Sequence, residues 1–143
     1  MAESSGTHPV GIAVRQYCRA RVAPVHGLAR ADELAAVVLA EVAVDATTPF
    51  GREAYRAVAR AVDLVLAEPR RKTSPPAGSL AAAVEDLPAP IRDVLVLRAF
   101  VGLSRDQVAQ ALGVSDRTVL RRQQAGLAWL RAEHASTLSA PEP

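Results

Sequence analysis

The sequence predicts an all-α protein of two small helical domains, the C-terminal one a four-helix unit that contains a helix-turn-helix. Three observations carry this expectation. Half of the 143 residues are apolar but only 3% are aromatic, so Ala, Val and Leu must fill the core, which suits closely packed helices. Apolar residues recur at helical spacing through both halves. Between them, "EPRRKTSPPAGS" combines prolines, glycine, serine and threonine, a helix-breaking composition that separates residues 10–68 from 79–136 and makes 69–78 a linker.

In the first half, Val10–Val22 reads as a helix with Ile12, Val14, Tyr17 and Cys18 towards one side. A second runs from Ala31 to Val44 with Leu34, Val37, Val38 and Val42 at helical spacing. Thr, Pro and Gly between Ala46 and Gly51 mark a loop. A third helix follows to Glu68, its stripe formed by Tyr55, Val58, Val62, Val65 and Leu66. In the second half, Ser79 can cap a short helix ending near Asp86. Pro88 and Pro90 then open another, because the first-turn N–H groups that proline lacks have no intrahelical partner anyway. Its apolar face is Ile91, Val94, Leu95 and Leu97, and Gly102 ends it.

Several function classes are disfavoured. The apolar run Leu34 to Val44 is interrupted by Glu41 and is far too short to span a bilayer. "MAESSGTHP" has no basic-then-apolar pattern and reads as a loose polar terminus, so a soluble cytoplasmic protein without membrane contact is expected. Cys18 is alone, and His8, His26 and His134 share no ligand spacing, so neither a metal nor a cofactor is expected. No nucleophile–base pair, carboxylate pair or phosphate loop stands out, which argues against an enzyme with catalytic residues.

The formal net charge is +2. Residues 1–77 carry 10 Lys/Arg against 8 Asp/Glu, and residues 78–143 carry 7 against 7. Within that neutral half, Arg117, Arg121, Arg122 and Arg131 gather on one helix, with Asp116 the single acid between 116 and 131. A local basic face of this kind can meet phosphates without a basic protein around it.

"LSRDQVAQALGVSDRTVLRRQQ", residues 103–124, carries the sharpest local pattern. Ser104 and Gln107 have capping-box spacing. Val108, Ala109 and Leu112 give a short helix its inner face, and Gly113 follows where a left-handed residue would end it. Val114 plugs the turn, Ser115 caps the next helix, and Val119 is its first buried position. Ala109 is small enough for two helices to cross closely. This register leaves Ser115, Asp116, Arg117, Leu120, Arg121 and Gln124 outward on the second helix. In a helix-turn-helix that end enters the major groove, so Arg117, Arg121 and Gln124 are candidate base readers. Ser115, Thr118 and Arg122 suit phosphates. Asp116 would repel phosphate and is assigned to the helix dipole or to orienting Arg117. Trp129 and Leu130 are core or interface positions. A plain helical hairpin with solvated arginines is the competing reading.

"LPAPIRDVLVLRAFVGLSRDQVAQALGVSDRTVLRRQQAGLAWLR", Leu87 to Arg131, resembles region 4 of bacterial sigma-70-family factors, particularly the small extracytoplasmic-function type. The resemblance rests on Leu87-Pro88, Arg92 to Arg98, Gly102 to Ser104, Ala109 to Ser115, Thr118-Val119 and Leu130-Arg131. It implies a helix-turn-helix that reads a −35-type promoter element, double-stranded promoter DNA and bacterial RNA polymerase core as partners, and an anti-sigma factor as a further one. Residues 10–68 would then be region 2, with "ADELAAVVLAEV" (31–42) aligned to the family's polymerase-docking helix. Ala36-Val37 replaces the usual Gln-Glu pair there, and Leu39 an aromatic. Ala59-Arg60 matches the family's Ala-Arg, whereas Ala61 replaces Asn, and Val65 and Glu68 stand for Asp and Arg. Arg56, Arg60 and Arg70-Arg71-Lys72 are candidates for compensating contacts. Two alternatives stay open: a dimeric helix-turn-helix regulator without stand-alone sigma activity, and a sigma-like decoy that occupies an anti-sigma factor.

Overall fold

A computed structural model describes residues 10–42, 50–69 and 80–139. The polar opening stretch with His8, most of the 46–51 loop, most of the 69–78 linker with Arg70-Arg71-Lys72, the Ser79 cap and the side chain of His134 lie outside the described residues. The described residues are all-α, as expected. Their order is α1 (Val10–His26), α2 (Leu28–Val42), α3 (Arg52–Leu66), α4 (Leu80–Glu85), α5 (Ala89–Leu95), a π-helical segment (Val96–Val101), α6 (Arg105–Leu112) and α7 (Asp116–Ser139). None of these helices is long and apolar enough to cross a membrane.

α1 and α2 form a tight hairpin. α1 runs past the expected Val22 with Pro24 in its last turn, and Gly27 ends it at φ +94°. α3 packs across both helices. Val58, Val62 and Val65 of α3 meet Val14, Tyr17, Val22, Leu34 and Val38, so the predicted stripes largely face the core. Two expected members do not: Ile12 and Val37 are 45% and 50% exposed. Ala-rich helices carry broad apolar faces, and only one side of each can be buried.

α1 is central because it also packs against the π-helical segment, while α3 packs against α6. A single buried cluster therefore continues from the first half into Val94, Val96, Leu97, Val101, Leu103, Val108, Ala111 and Val119. Cys18 lies in this core, where burial, helped by the charge of Asp32, pushes its thiol up to about 12 and leaves it a small apolar filler.

Between the halves lies a polar network that has no counterpart in the sequence reading. Arg21 is only 2% exposed. Its Nε donates to Glu85 at 3.2 Å, its Nη1 donates to the Tyr17 hydroxyl at 2.9 Å, and Asp93 and Asp63 each lie 3.8 Å away. The Tyr17 hydroxyl donates to Asp93 Oδ1 at 3.3 Å, the Tyr55 hydroxyl donates to Asp93 Oδ2, and Arg92 Nε donates to Oδ1 at 3.1 Å. Burial and the adjacent Asp93 charge push both tyrosines well above their ordinary range, so they stay protonated as donors. Burial alone would lower the Arg21 pKa, but Tyr17, Glu85 and Asp93 outweigh it and hold the guanidinium charged. The two rings meet edge to face at 6.0 Å, and Arg21 lies 5.8 Å from the Tyr17 centroid.

Removing Asp93 leaves two phenolic donors without their acceptor and takes a carboxylate from beside the buried Arg21 guanidinium. Asp93→Ala is expected to cost about 3–5 kcal/mol in urea unfolding, the usual penalty for breaking a buried ion pair from one side. A loss under about 1 kcal/mol, the range of exposed ion pairs, would show that the network does not stabilise the fold.

Candidate nucleic-acid interface

The helix-turn-helix forms where the caps and the glycine predict it. Ser104 Oγ accepts from the Gln107 N–H at 3.1 Å, and Gln107 Oε1 accepts from the Ser104 N–H at 2.8 Å, completing the capping box of α6. Gly113 ends α6 at φ +71°, and Ala109 O accepts from the Gly113 and Val114 N–H groups at 2.9 and 3.1 Å. Ser115 caps α7 by accepting from the Thr118 N–H at 3.1 Å. Val108, Ala109, Ala111 and Val119 are buried, and Leu112 and Val114 pack partly against them. The inner face is thus Val108, Ala109 and Ala111, with Leu112 at its margin.

α7 runs 24 residues, about 36 Å at helical rise. Arg117, Arg121 and Gln124 follow at steps of four and three, so they share one face, and all three are exposed. Ser115 is exposed beside them, whereas Thr118 and Arg122 sit half-buried on the adjoining flank. The Ser115 hydroxyl donates to Thr118 Oγ1 at 2.9 Å, which leaves the Thr118 hydroxyl proton to point away from the helix cap. The structure brings all six predicted residues onto the first two and a half turns of one helix. None of Arg117, Arg121 and Arg122 has an ion pair among the described residues.

Asp116 is the correction here. It occupies the first turn of α7, as the dipole argument requires, but its partner is Arg105 rather than Arg117. Arg105 Nε donates to Asp116 Oδ1 at 3.1 Å, which ties the start of α6 to the start of α7. The pair offsets the acidic charge of Asp116 at the start of α7.

Other supporting residues escaped the sequence reading. A Cβ at Gly126 would lie 2.6 Å from Leu95 Cδ1 and 2.9 Å from Ile91 Cγ2, so α7 crosses α5 closely at a glycine. A glycine inside a helical run is the signal that could have found it. Arg98 donates from Nε to Gln123 Oε1 at 3.1 Å and from Nη1 to Leu103 O at 2.8 Å, bracing α7 against the chain that enters α6. The π-helical turn around it has no local sequence mark. Trp129 is 45% exposed and so is not a core residue, while Leu130 is partly buried against the core.

These features define a helix-turn-helix domain whose second helix offers an uncompensated basic face. Residues 77–130 match the family model described as Sigma-70, region 4. No curated protein matches the chain significantly. Among solved structures, the chain is similar to CnrH, described in "Structure of CnrH in complex with the cytosolic domain of CnrY", with 23% identity, a TM-score of 0.65, and 88% of this chain and 82% of that chain covered. Residues 77–130 thus resemble sigma-70 region 4, and the fold of the chain as a whole is similar to that of CnrH.

Gly113 is required by its backbone, since a side chain at positive φ costs about 1–2 kcal/mol. Gly113→Ala is expected to lower stability by about that amount in urea unfolding, and Gly113→Asn by less, because asparagine tolerates the left-handed region. Equal stability of Gly113→Ala and the parent would contradict the turn geometry.

Proposed function

We propose that this chain recognises promoter DNA at a −35-type element through α7 and associates with bacterial RNA polymerase core to direct transcription initiation, working in the cytoplasm. The observation that carries the reading is the row Arg117, Arg121 and Gln124 on the exposed start of α7, a helix capped by Ser115 whose first-turn acid, Asp116, is paired with Arg105. Arg117 and Arg121 can each grip a guanine edge and Gln124 an adenine edge in the major groove. Ser115, Thr118 and Arg122 flank them at the height of the phosphates. The sigma-70 region 4 match over residues 77–130 supports this assignment of the segment.

The N-terminal half supplies the polymerase-facing surface in this reading. Ala36 and Val37 are exposed on α2, so the docking helix offers an apolar patch instead of the family's Gln-Glu pair. Arg56 and Arg60, both exposed, lie on α3 and can add charge to such a contact. Val65, by contrast, is buried, so that position serves packing rather than strand opening. CnrH was solved in complex with the cytosolic domain of CnrY, which supports a protein domain of that kind as a further partner here. A second reading, a helix-turn-helix regulator without polymerase, is favoured by the loss of polar groups at Ala36, Val37 and Ala61.

Co-purification with core polymerase followed by run-off transcription tests the choice. Core binding with run-off product supports the sigma reading. DNA binding without core binding replaces it with the regulator. On the target site, Arg121→Ala is expected to weaken binding by about 1–3 kcal/mol, the worth of one bidentate guanine contact. Unchanged affinity would remove Arg121 from the reading face.

A further inference from the structure

A cavity of about 330 Å³ opens on the seam between the halves, lined by no residue of α6 or α7. One wall is α1, through Gln16, Ala20 and Pro24. The other belongs to the second half, through Val84 and Glu85 of α4 and Phe100 of the π-helical segment. Ligand pockets begin at about 300 Å³. An apolar cavity of about 150 Å³ already takes up a benzene ring, so about twice that volume suits a fused pair of rings.

The lining selects against an ion. Its two charged residues are already paired: Arg19 donates to both carboxylate oxygens of Asp32 at 2.7 and 3.0 Å, and Glu85 accepts from Arg21 at 3.2 Å. What stays open is acceptor capacity. Gln16 Oε1 is shielded from water and has no hydrogen-bond partner among the described residues. Pro24 lies one helical turn after Ala20 and has no N–H to give the Ala20 carbonyl, the bond that α1 would otherwise make there. A buried acceptor left without a donor is costly. The terminal torsion of a glutamine is soft, so its amide can turn towards a donor that enters. Phe100 adds an aromatic wall. It is 42% exposed, whereas the chain's other phenylalanine, Phe50, is buried. It also stands in a π-helical turn, a form frequent at functional sites.

We propose that this cavity binds an uncharged fused-ring aromatic molecule that carries an N–H donor, a compound of the indole class. The rings fill the space between Ala20, Val84 and Phe100, and the N–H gives Gln16 Oε1 the donor it lacks. Because the walls come from both halves, the site exists only while α1 stays packed against α4 and the π-helical segment. Binding therefore stabilises the packed arrangement by mass action. Neither polymerase nor promoter is needed for it, so it stands apart from the DNA reading.

The test is isothermal titration calorimetry of the full chain with indole and, in parallel, with indene, the hydrocarbon of the same shape in which a CH₂ replaces the N–H. Indole is expected to bind saturably at one site and to raise the thermal midpoint as its concentration rises. Indene should bind several-fold more weakly, the worth of one hydrogen bond. Gln16→Met keeps an unbranched side chain without the amide, so it should lower the affinity for indole to that for indene. Ala20→Leu fills the space and Phe100→Ala removes an exposed wall, and both should abolish binding. If Ala20→Leu fails to fold, Phe100→Ala decides, because an exposed side chain is not needed for the core. The proposal is overturned if indole does not bind, or if Phe100→Ala binds it as the parent does. It is overturned equally if indene binds as tightly as indole, which would leave the Gln16 amide without a part in recognition.

Discussion

The guanidinium of Arg21 is the constraint on which the rest of the structure depends. Taking this charge out of water is costly unless acceptors surround it. The acceptors come from three other helices: Glu85 of α4 at 3.2 Å, and Asp93 of α5 and Asp63 of α3, each 3.8 Å away. Tyr17 on its own helix and Tyr55 on α3 then saturate the Asp93 carboxylate. No half of the chain can satisfy this set by itself. The network therefore fixes how α5 meets α1 and α3, and through α5 it fixes where the π-helical segment, α6 and α7 stand.

The apolar core alone could not impose that register. It is built from small Val, Ala and Leu side chains that can slide past one another with modest loss. Hydrogen bonds and charges are directional, so a slip of one turn would leave Arg21 or Asp93 unpaired. The close crossing of α7 over α5 at Gly126 adds a second fixed point, and Arg98 a third. The face with Arg117, Arg121 and Gln124 lies outside all of these contacts. Packing of the two halves thus leaves this face in solvent.

The legible and illegible parts of this molecule divide by range of interaction. The helix-turn-helix was readable because its determinants lie within a few residues of one another: Ser104 with Gln107, Gly113 after Leu112, Ser115 before Thr118. The exposure of Arg117, Arg121 and Gln124 along one side of α7 followed from the same local register. Tyr17 and Asp93 are 76 positions apart, and nothing in either neighbourhood shows that they meet. The Arg105–Asp116 pair was missed because a partner one residue away, Arg117, looked sufficient. Ile12 and Val37 were placed on buried faces because apolar spacing marks a helix without saying which side has a neighbour. The half that most resembles a family by its own residues is also the half whose structure is locally encoded. In the N-terminal half, alanine and valine at positions 36, 37 and 65 suit a helix but carry no polar group that marks a function.

Native-state hydrogen exchange tests this interlock most directly. If the Arg21 network binds the halves into one cooperative unit, the core amides of α1 around Val22 and those of α5 around Val94 should open with the same free energy, equal to that of global unfolding. Amides of one half that exchange through a cheaper opening, while the other half stays protected, would contradict it.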